Sequence, residues 1–531
     1  MSSAYDVVVV GGGHNGLVTA AYLGKAGLRV LVLERGPAFG GPCATREFIP
    51  GYRCSLANSP GSFERRVMEE LELTDNGLSF ATCDPSLVHF LEDRVYVNWQ
   101  DAERNRATFE TFASGEWDRQ KTFVAGLEEL AAVLGVSIFE TPPPMSQIYA
   151  AAADAGMEHR LNAVLFGSLR ELLDEALESE EAKTLLGMVA LNANLVPPSS
   201  AGSGMGLMMR PLSLASSPLV QDNDFRRYTL RGSTGLPIGG MGAVIDALVN
   251  VCRTHGVQLR TDSEVAALRG HDGAVTTVVL ESGEEIRASR VVSAISPKLL
   301  FRDLLDDELV EPETRRRISG FSVRGSAFKI VLGLDGLPEY RDLPPGITQE
   351  AALTCQFRIA HSLGYIEDSV LDGLRGRPAE GPIMWGLFPS ITSPQLAPPG
   401  RHLLSVNVWH APYRLASGTW DESREAFGWH CVEVMSRHMS GLKERIVEHS
   451  FTAPDGIEDM FNLVESNITH GDMLPGRLFA ARPDRAIVGY RAPVKNLYLT
   501  GAGVWPGGYV TGIPGRNTSE AVLADISSQE G

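Results

Sequence analysis

Apolar residues run without alternation from Asp6 to Val10 and again from Leu28 to Leu33, and between them they recur at helical spacing from Leu17 to Ala26. Continuous runs suit parallel strands covered on both faces, so the first 35 residues read as a strand–helix–strand unit. Gly24 and Gly27 would loosen and end its helix. From about Thr108 to Leu186 the period turns helical, with Leu127, Leu130, Ala131 and Leu134 on one face, and the acidic run Arg170 to Lys183 reads as a solvated helix face. Between Gly187 and Pro218 the period fades into a Met-, Ser- and Gly-rich stretch that suits a lid, a channel wall or a long connection.

Past Pro237 the α/β pattern returns. GGMGAVIDALVNVCRTHG predicts a helix ending at Gly256, and VQLRT, AVTTVVL, EEIRASR and VVSAI predict short strands, with an ESGE turn between the middle two. Phe328 to Leu334 and His402 to Trp409 read as strands of a different sheet. A strand from Asn496 to Thr500, a glycine loop and a helix follow. No repeat of 20 to 50 residues is present.

The 531 residues allow two or three compact units at roughly 150 residues each. Hydrophobic residues make up 44% and charged residues 21%, a globular balance. Forty-seven basic against 65 acidic side chains give a net charge of −18, a field that repels phosphate backbones and argues against nucleic acid as a partner. The six cysteines form no C-x-x-C pair and read as thiols of a reducing compartment. The N-terminus has no basic segment ahead of an apolar one, and no stretch offers 18 uninterrupted apolar residues, which points to the cytoplasm.

Gly11, Gly13 and Gly16 form G-x-G-x-x-G directly after the first predicted strand, with Glu34 at the tip of the second. Gly11 permits the tight turn, Gly13 lets main-chain amides approach a diphosphate, Gly16 allows close helix packing, and Glu34 can accept ribose hydroxyls. The spacing alone does not separate FAD from NAD. No second such motif follows a strand, since the Gly239-Gly240-Met241-Gly242 cluster lacks the spacing, and with no C-x-x-C pair this argues against a disulfide reductase.

The strings VVVVGGGHNGLVTAAYLGKAGLRVLVLERG, PIGGMGAVIDAL, HGDMLPGRLFAARP and LYLTGAGVWPGGYVTGIPGRNTSEAV cover the chain nearly end to end. Through them it resembles the flavin-dependent phytoene desaturase and amine oxidase superfamily, in its phytoene-dehydrogenase-like branch. The resemblance implies an α/β fold with FAD as cofactor: a discontinuous Rossmann-type FAD-binding domain from residues 1–85, 230–315 and 476–531, and a mixed-sheet and helical substrate domain from 86–229 and 316–475. It implies that Gly11 to Gly16, including His14 and Asn15, cradle the diphosphate, and that Glu34 and Arg35 hold the adenosine ribose. Gly40 and Gly41 would pass along the flavin, with Val265 by the adenine. Gly501 and the stretch from Gly503 through Gly508 and Tyr509 to Val510 would reach the isoalloxazine. The positive end of the terminal helix, opened by Val510, Thr511 and Gly512, would favour a reduced, anionic flavin. Two positions depart from the family pattern: Pro42 follows the glycine pair where a small residue or arginine is expected, and Trp505 replaces a histidine before Pro506.

Hydride transfer to flavin N5 needs mainly alignment, so few acid–base groups need appear in the sequence. Lys329 is a candidate for a water-bridged flavin contact like that of a lysine in amine oxidases; its alternative is a surface strand lysine. Trp505 and His410 are the other catalytic candidates. His361 and His470 add protic groups, and His14 could equally cap or pack inside the loop. Trp385, Trp409, Trp505 and Tyr509 could wall an apolar or aromatic substrate. No metal site is expected, and Gly202-Ser203-Gly204 lacks the context of a hydrolase nucleophile.

The expected activity is dehydrogenation of a C–C or C–N bond in a hydrophobic small molecule, with oxygen or a quinone as electron acceptor. A redox-neutral isomerase and a non-catalytic flavin-binding protein are the alternatives, and contact of the Met-rich stretch with a membrane surface stays open. The purified protein should be yellow, and Glu34→Ala should weaken FAD retention by roughly 1 to 3 kcal/mol through lost ribose hydrogen bonds. Flavin released on dilution measures this; a colourless protein that takes up NAD overturns it.

Overall fold

The computed structural model describes residues 5–58, 63–191, 194–217 and 235–530. Strand β1 (Tyr5–Val10), helix α1 (His14–Lys25) and strand β2 (Val30–Leu33) form the unit read from the sequence. Gln258–Arg260 pairs beside β2 and Glu285–Ser293 beside β1; Leu497–Leu499 then pairs with the second half of Glu285–Ser293, all in parallel. The valines do not alternate because both faces are covered. Val7 and Val9 pack with Leu17, Ala21 and helix Gly242–Thr254, while Val8 and Val10 pack with Leu268, Val278 and Leu300.

Glu285–Ser293 is one nine-residue strand, although its pattern reads as two. Its first half pairs antiparallel with Ala274–Leu280 and has alternating burial; its second half enters the parallel core and is buried throughout. The texture changes because the neighbours change. Val265–His271, which the pattern does not mark as a strand, carries two register shifts that break its alternation.

A second seven-stranded sheet runs in the order Ile446–Thr452, Ser326–Leu334, His402–Ala411, Met384–Leu387, Gln356–Ile359, Leu87–Phe90, Val95–Asn98. All nine residues of Ser326–Leu334 are buried, and alternation divides them between two environments. Phe328, Ile330, Leu332 and Leu334 share an apolar core with Phe427, Cys431 and Met435 of helix Trp420–His438. Ala327, Lys329 and Val331 point the other way. Across that second face Lys329, Asn407, Trp385 and Arg358 are direct partners on successive strands, so one row of polar and aromatic side chains crosses the sheet.

Helices between Ala102 and Ser216 close over this unit around the largest apolar cluster. The acidic run Arg170 to Lys183 is not one solvated face. It splits into Leu169–Ala176, opened by a Ser168–Glu171 capping box, and Glu180–Ala190, capped by Ser179. The fully buried Glu116 takes hydrogen bonds from the Ser179 amide (2.8 Å) and hydroxyl (2.6 Å), which holds the break in place. Among the described residues of the Met-rich stretch, Met188, Met205 and Met208 face this core. Those methionines therefore offer no surface to a lipid. Among the described residues no helix is long and apolar enough to cross a membrane.

Helix Ile513–Glu530 returns to the start of the chain. The Gly515 amide donates to Asn15 Oδ1, and the Thr19 hydroxyl donates to the Gly515 carbonyl at 3.0 Å. Glu70 joins three helices by accepting from Tyr22 (2.7 Å), Arg516 (2.7 Å) and Arg66 (2.8 Å). Partial burial raises its pKa, but the Arg516, Arg66 and Tyr22 hydrogen bonds outweigh this and hold it at about 2. Because this lies below the unfolded value, the contribution is present above pH ~4.5 and fades as pH falls towards 2. Glu70→Gln should therefore flatten the fall of melting temperature across that window. An acid limb identical to that of the wild type would contradict the assignment.

Candidate active site

The turn after β1 works through absent side chains. Gly11 sits at φ +101°, where glycine alone is unstrained, and a β-carbon on Gly16 would run into the Gly11 carbonyl oxygen. Gly13 is different. Its backbone is ordinary (φ −68°) and a β-carbon there would meet nothing within 4 Å, because the space beside it is an open groove. Glu34 braces the turn, accepting from the Gly12 and Gly36 amides, each at 2.9 Å. Two of its roughly four lone-pair sites stay free for hydroxyl donors.

The groove has a volume of about 760 Å3, within the ~300–1,000 Å3 of ligand sites. Gly11, Gly13, Glu34, Arg35, Gly41 and Val265 all line it. So do Ser296 and the segment 459–463, which carry no motif, and His470, which opens the string HGDMLPGRLFAARP. That segment ends helix Pro454–Phe461, where Asn462 adopts a left-handed conformation. It is held by an Arg35 hydrogen bond to the Asp459 carbonyl (3.1 Å) and by Arg46, 4.9 Å from the centre of the Phe461 ring. The sequence signal for this wall is an asparagine after a short amphipathic helix, shared by many helix ends. Bare amides, the vacancy at Gly13 and the free acceptor capacity of Glu34 fit the diphosphate and ribose of FAD.

Other expected cofactor residues lie behind this surface. Gly40 (φ +118°) bridges to Gly13 in a short parallel contact. Asn15 is buried, and its amide donates to His14 Nε2 at 2.9 Å. Burial lowers the His14 pKa to about 4 against the pull of the Tyr509 main chain, so the ring is neutral at pH 7. The tail loop meets the groove from the rear. Gly501 (φ +97°) lies beside the Ala294 carbonyl, a β-carbon on Gly503 would stand 2.5 Å from Pro297, and one on Gly508 would strike the Thr469 side chain. Tyr509 adopts φ +76°, and Val510 packs with the core under α1. In this structure Gly503 and Gly508 serve close packing.

The three catalytic candidates lie apart. Lys329 is wholly buried and is no surface lysine: its ammonium donates to Ser405 Oγ (2.7 Å), Asn58 Oδ1 (2.8 Å) and Asn407 Oδ1 (3.1 Å). Burial lowers its pKa to about 8. Asn58 and Ser405 also line a cavity of about 20 Å3, room for one water. The adjoining Ala57 amide donates to the Pro42 carbonyl (3.0 Å), which ties this cluster to the loop after the glycine pair. His410 is buried by the main chain at Leu191 and Asn194, and burial lowers its pKa to about 4. Trp505 is buried in the helical core, donates to the Ser137 carbonyl (3.0 Å) and stacks on Phe479 at 5.2 Å. Trp385 and Trp409 meet edge to face at 6.0 Å on the Lys329 side of the sheet. Among the described residues no cluster of three His, Cys, Asp or Glu side chains could hold a metal ion.

A Rossmann-type sheet with an open glycine turn, joined to a second sheet bearing a buried lysine, defines an FAD-dependent oxidoreductase. The chain belongs to the flavin containing amine oxidoreductase family, whose profile matches residues 16–515. It is 29% identical to pyridine nucleotide-disulfide oxidoreductase domain-containing protein 2 of Rattus norvegicus over 99% of this chain and 94% of that one. It is 23% identical to the carotenoid 3,4-desaturase of Haloarcula japonica over 99% of both. Among solved structures, putrescine oxidase bound to putrescine shares the fold with a TM-score of 0.61 at 16% identity over 99% of both chains.

Two glycines of one motif should fail differently. Gly13→Val, with a permitted backbone and free space, should lower flavin retention at least tenfold and leave the melting temperature of the flavin-free protein unchanged. Gly16→Val should instead destabilise that flavin-free protein, since Gly11 cannot move aside. Equal loss of stability in both variants would refute the distinction.

Proposed function

We propose that this enzyme dehydrogenates a hydrophobic small molecule at a C–C or C–N bond and passes the electrons to oxygen or a quinone. The reading rests above all on the row formed by Lys329, Asn407 and Trp385. A buried ammonium with no carboxylate hydrogen-bonded to it costs several kcal/mol to desolvate, so it contributes little to stability and is better explained by chemistry at that face. The Trp385–Trp409 pair on the same face supplies an apolar, aromatic surface beside it. The desaturase and amine oxidase relatives are consistent with either bond type. Six free cysteines, five of them buried, suit a reducing compartment such as the cytoplasm.

FAD, when bound, supplies the two-electron acceptor. Gly11, Gly13 and Glu34 bind its nucleotide half; Gly41 and Pro42 run beside the groove and connect through Ala57 to the lysine cluster. Asn58, Ser405 and Asn407 take the three protons of the Lys329 ammonium and hold it behind the water-sized cavity that Asn58 and Ser405 line. With a pKa near 8, the lysine can exchange a proton close to neutral pH. The tryptophans exclude water from an apolar substrate.

Anaerobic mixing with a panel of terpenoid, polyene and amine substrates tests the reading: one class should bleach the flavin, and the colour should return only on admitting oxygen or a quinone. Turnover without net bleaching would favour an isomerase instead. Lys329→Met should keep its flavin while the bleaching rate falls by about 10² or more. An undiminished rate would remove the lysine from the chemistry.

A further inference from the structure

One ring on the groove wall is built in a way that packing does not explain. His470 belongs to no strand or helix and adopts φ +52°, an uncommon conformation for a residue with a side chain. The turn around it is fastened by Asn467, whose Oδ1 accepts from the Thr469 amide (3.1 Å), the Thr469 hydroxyl (3.0 Å) and the Gly471 amide (2.9 Å). It is fastened again from below by Arg482. That buried guanidinium donates to the carbonyls of Thr469 (2.6 Å), Asp472 (3.2 Å) and Ala502 (2.6 Å), and so clips the turn to the Gly501–Gly503 loop. A strained residue held by three anchored neighbours is placed for a purpose other than local comfort.

The ring itself shows which atom matters. Nδ1 is buried and has no hydrogen-bond partner, whereas the residue as a whole is partly exposed and lines the dinucleotide groove with Gly13, Gly41 and Ser296. Burial first, then the Arg482 and His14 side chains, lower its pKa to about 4, so the imidazole carries one proton at physiological pH. A buried N–H without an acceptor is rarer than a buried lone pair without a donor. The proton therefore belongs on Nε2, the nitrogen open to the groove.

We propose that His470 is a cofactor-binding residue whose Nε2–H donates to an acceptor of the bound FAD at the junction between the Gly13–Gly41 wall and the Gly501–Gly503 loop. The inference rests on the FAD reading above and adds a contact outside the glycine turn and the Glu34 strand end. Two acceptors share the required chemistry, a diphosphate oxygen and a pyrimidine acceptor of the flavin ring.

His470→Ala and His470→Gln carry the same left-handed backbone cost, so comparing them isolates the N–H donor. From the holoenzyme, His470→Ala should release FAD on dilution about tenfold faster than wild type, and His470→Gln, which keeps an amide donor, should recover most of that retention. If the visible flavin spectrum and midpoint potential stay fixed while release quickens, the acceptor is the diphosphate; if they move too, it is the flavin ring. Release by His470→Ala within twofold of wild type, with spectrum and potential unmoved, overturns the proposal. Equal release by both variants also overturns it, because the ring would then act only by filling space. Wild-type protein that retains no FAD would defeat the FAD reading itself.

Discussion

Strand β1 and helix α1 can meet only because nothing projects from Gly16 towards the Gly11 carbonyl. That steric allowance sets the geometry of the nucleotide side of the molecule. It lets the helix start beside the strand end, points its free amides at the groove and leaves Gly13 beside open space. Glu34 then reaches back from β2 to the Gly12 amide, so the two strands that carry the binding groups are tied by the carboxylate that has capacity left for a ribose. Removing one methyl's worth of bulk at one position thus organises a groove of about 760 Å3.

The second sheet divides its labour between its faces. One face is conventional, with Phe328, Ile330 and Leu332 packed under a long helix. The other carries a lysine, an asparagine, a tryptophan and an arginine in one cross-strand row, an expensive composition for an interior. Natural sequences depart from local rules chiefly where they act, and here the departure sits where the sheet faces Asn58 and the Pro42 loop. Hydrogen bonds donated to three neutral oxygens hold the Lys329 ammonium without pinning its charge as a carboxylate partner would.

Legibility in the sequence follows the locality of the physics. The β1–α1–β2 unit is readable because its period, its glycines and Glu34 lie within 35 residues and act on one another directly. Glu285–Ser293 is harder because its pattern switches midway with its neighbours, and Val265–His271 because bulges erase its alternation. The acidic run reads as continuous, since nothing nearby reveals that Glu116, more than 60 residues upstream, holds the Ser179 cap of the helix that begins inside it. Lys329 can be singled out by resemblance, but its burial depends on Asn58 and Ser405, which come from distant segments. The 459–463 wall has no local signature, and the string that opens with His470 does not reveal that its ring lines the groove. The wall is held by Arg35 and Arg46, and the His470 turn by Asn467 and Arg482.

The return of helix Ile513–Glu530 to Asn15 and Thr19 has a temporal side. On a ribosome adding ~5–20 residues per second, the opening strand–helix–strand emerges long before the segment that covers it. Until residues 497–530 follow, β1 lacks the outermost parallel strand of its sheet and α1 exposes the face that later meets the tail. The nascent chain must therefore keep that apolar surface from sticking to its neighbours for tens of seconds, and the groove gains its last wall only once His470 has been made.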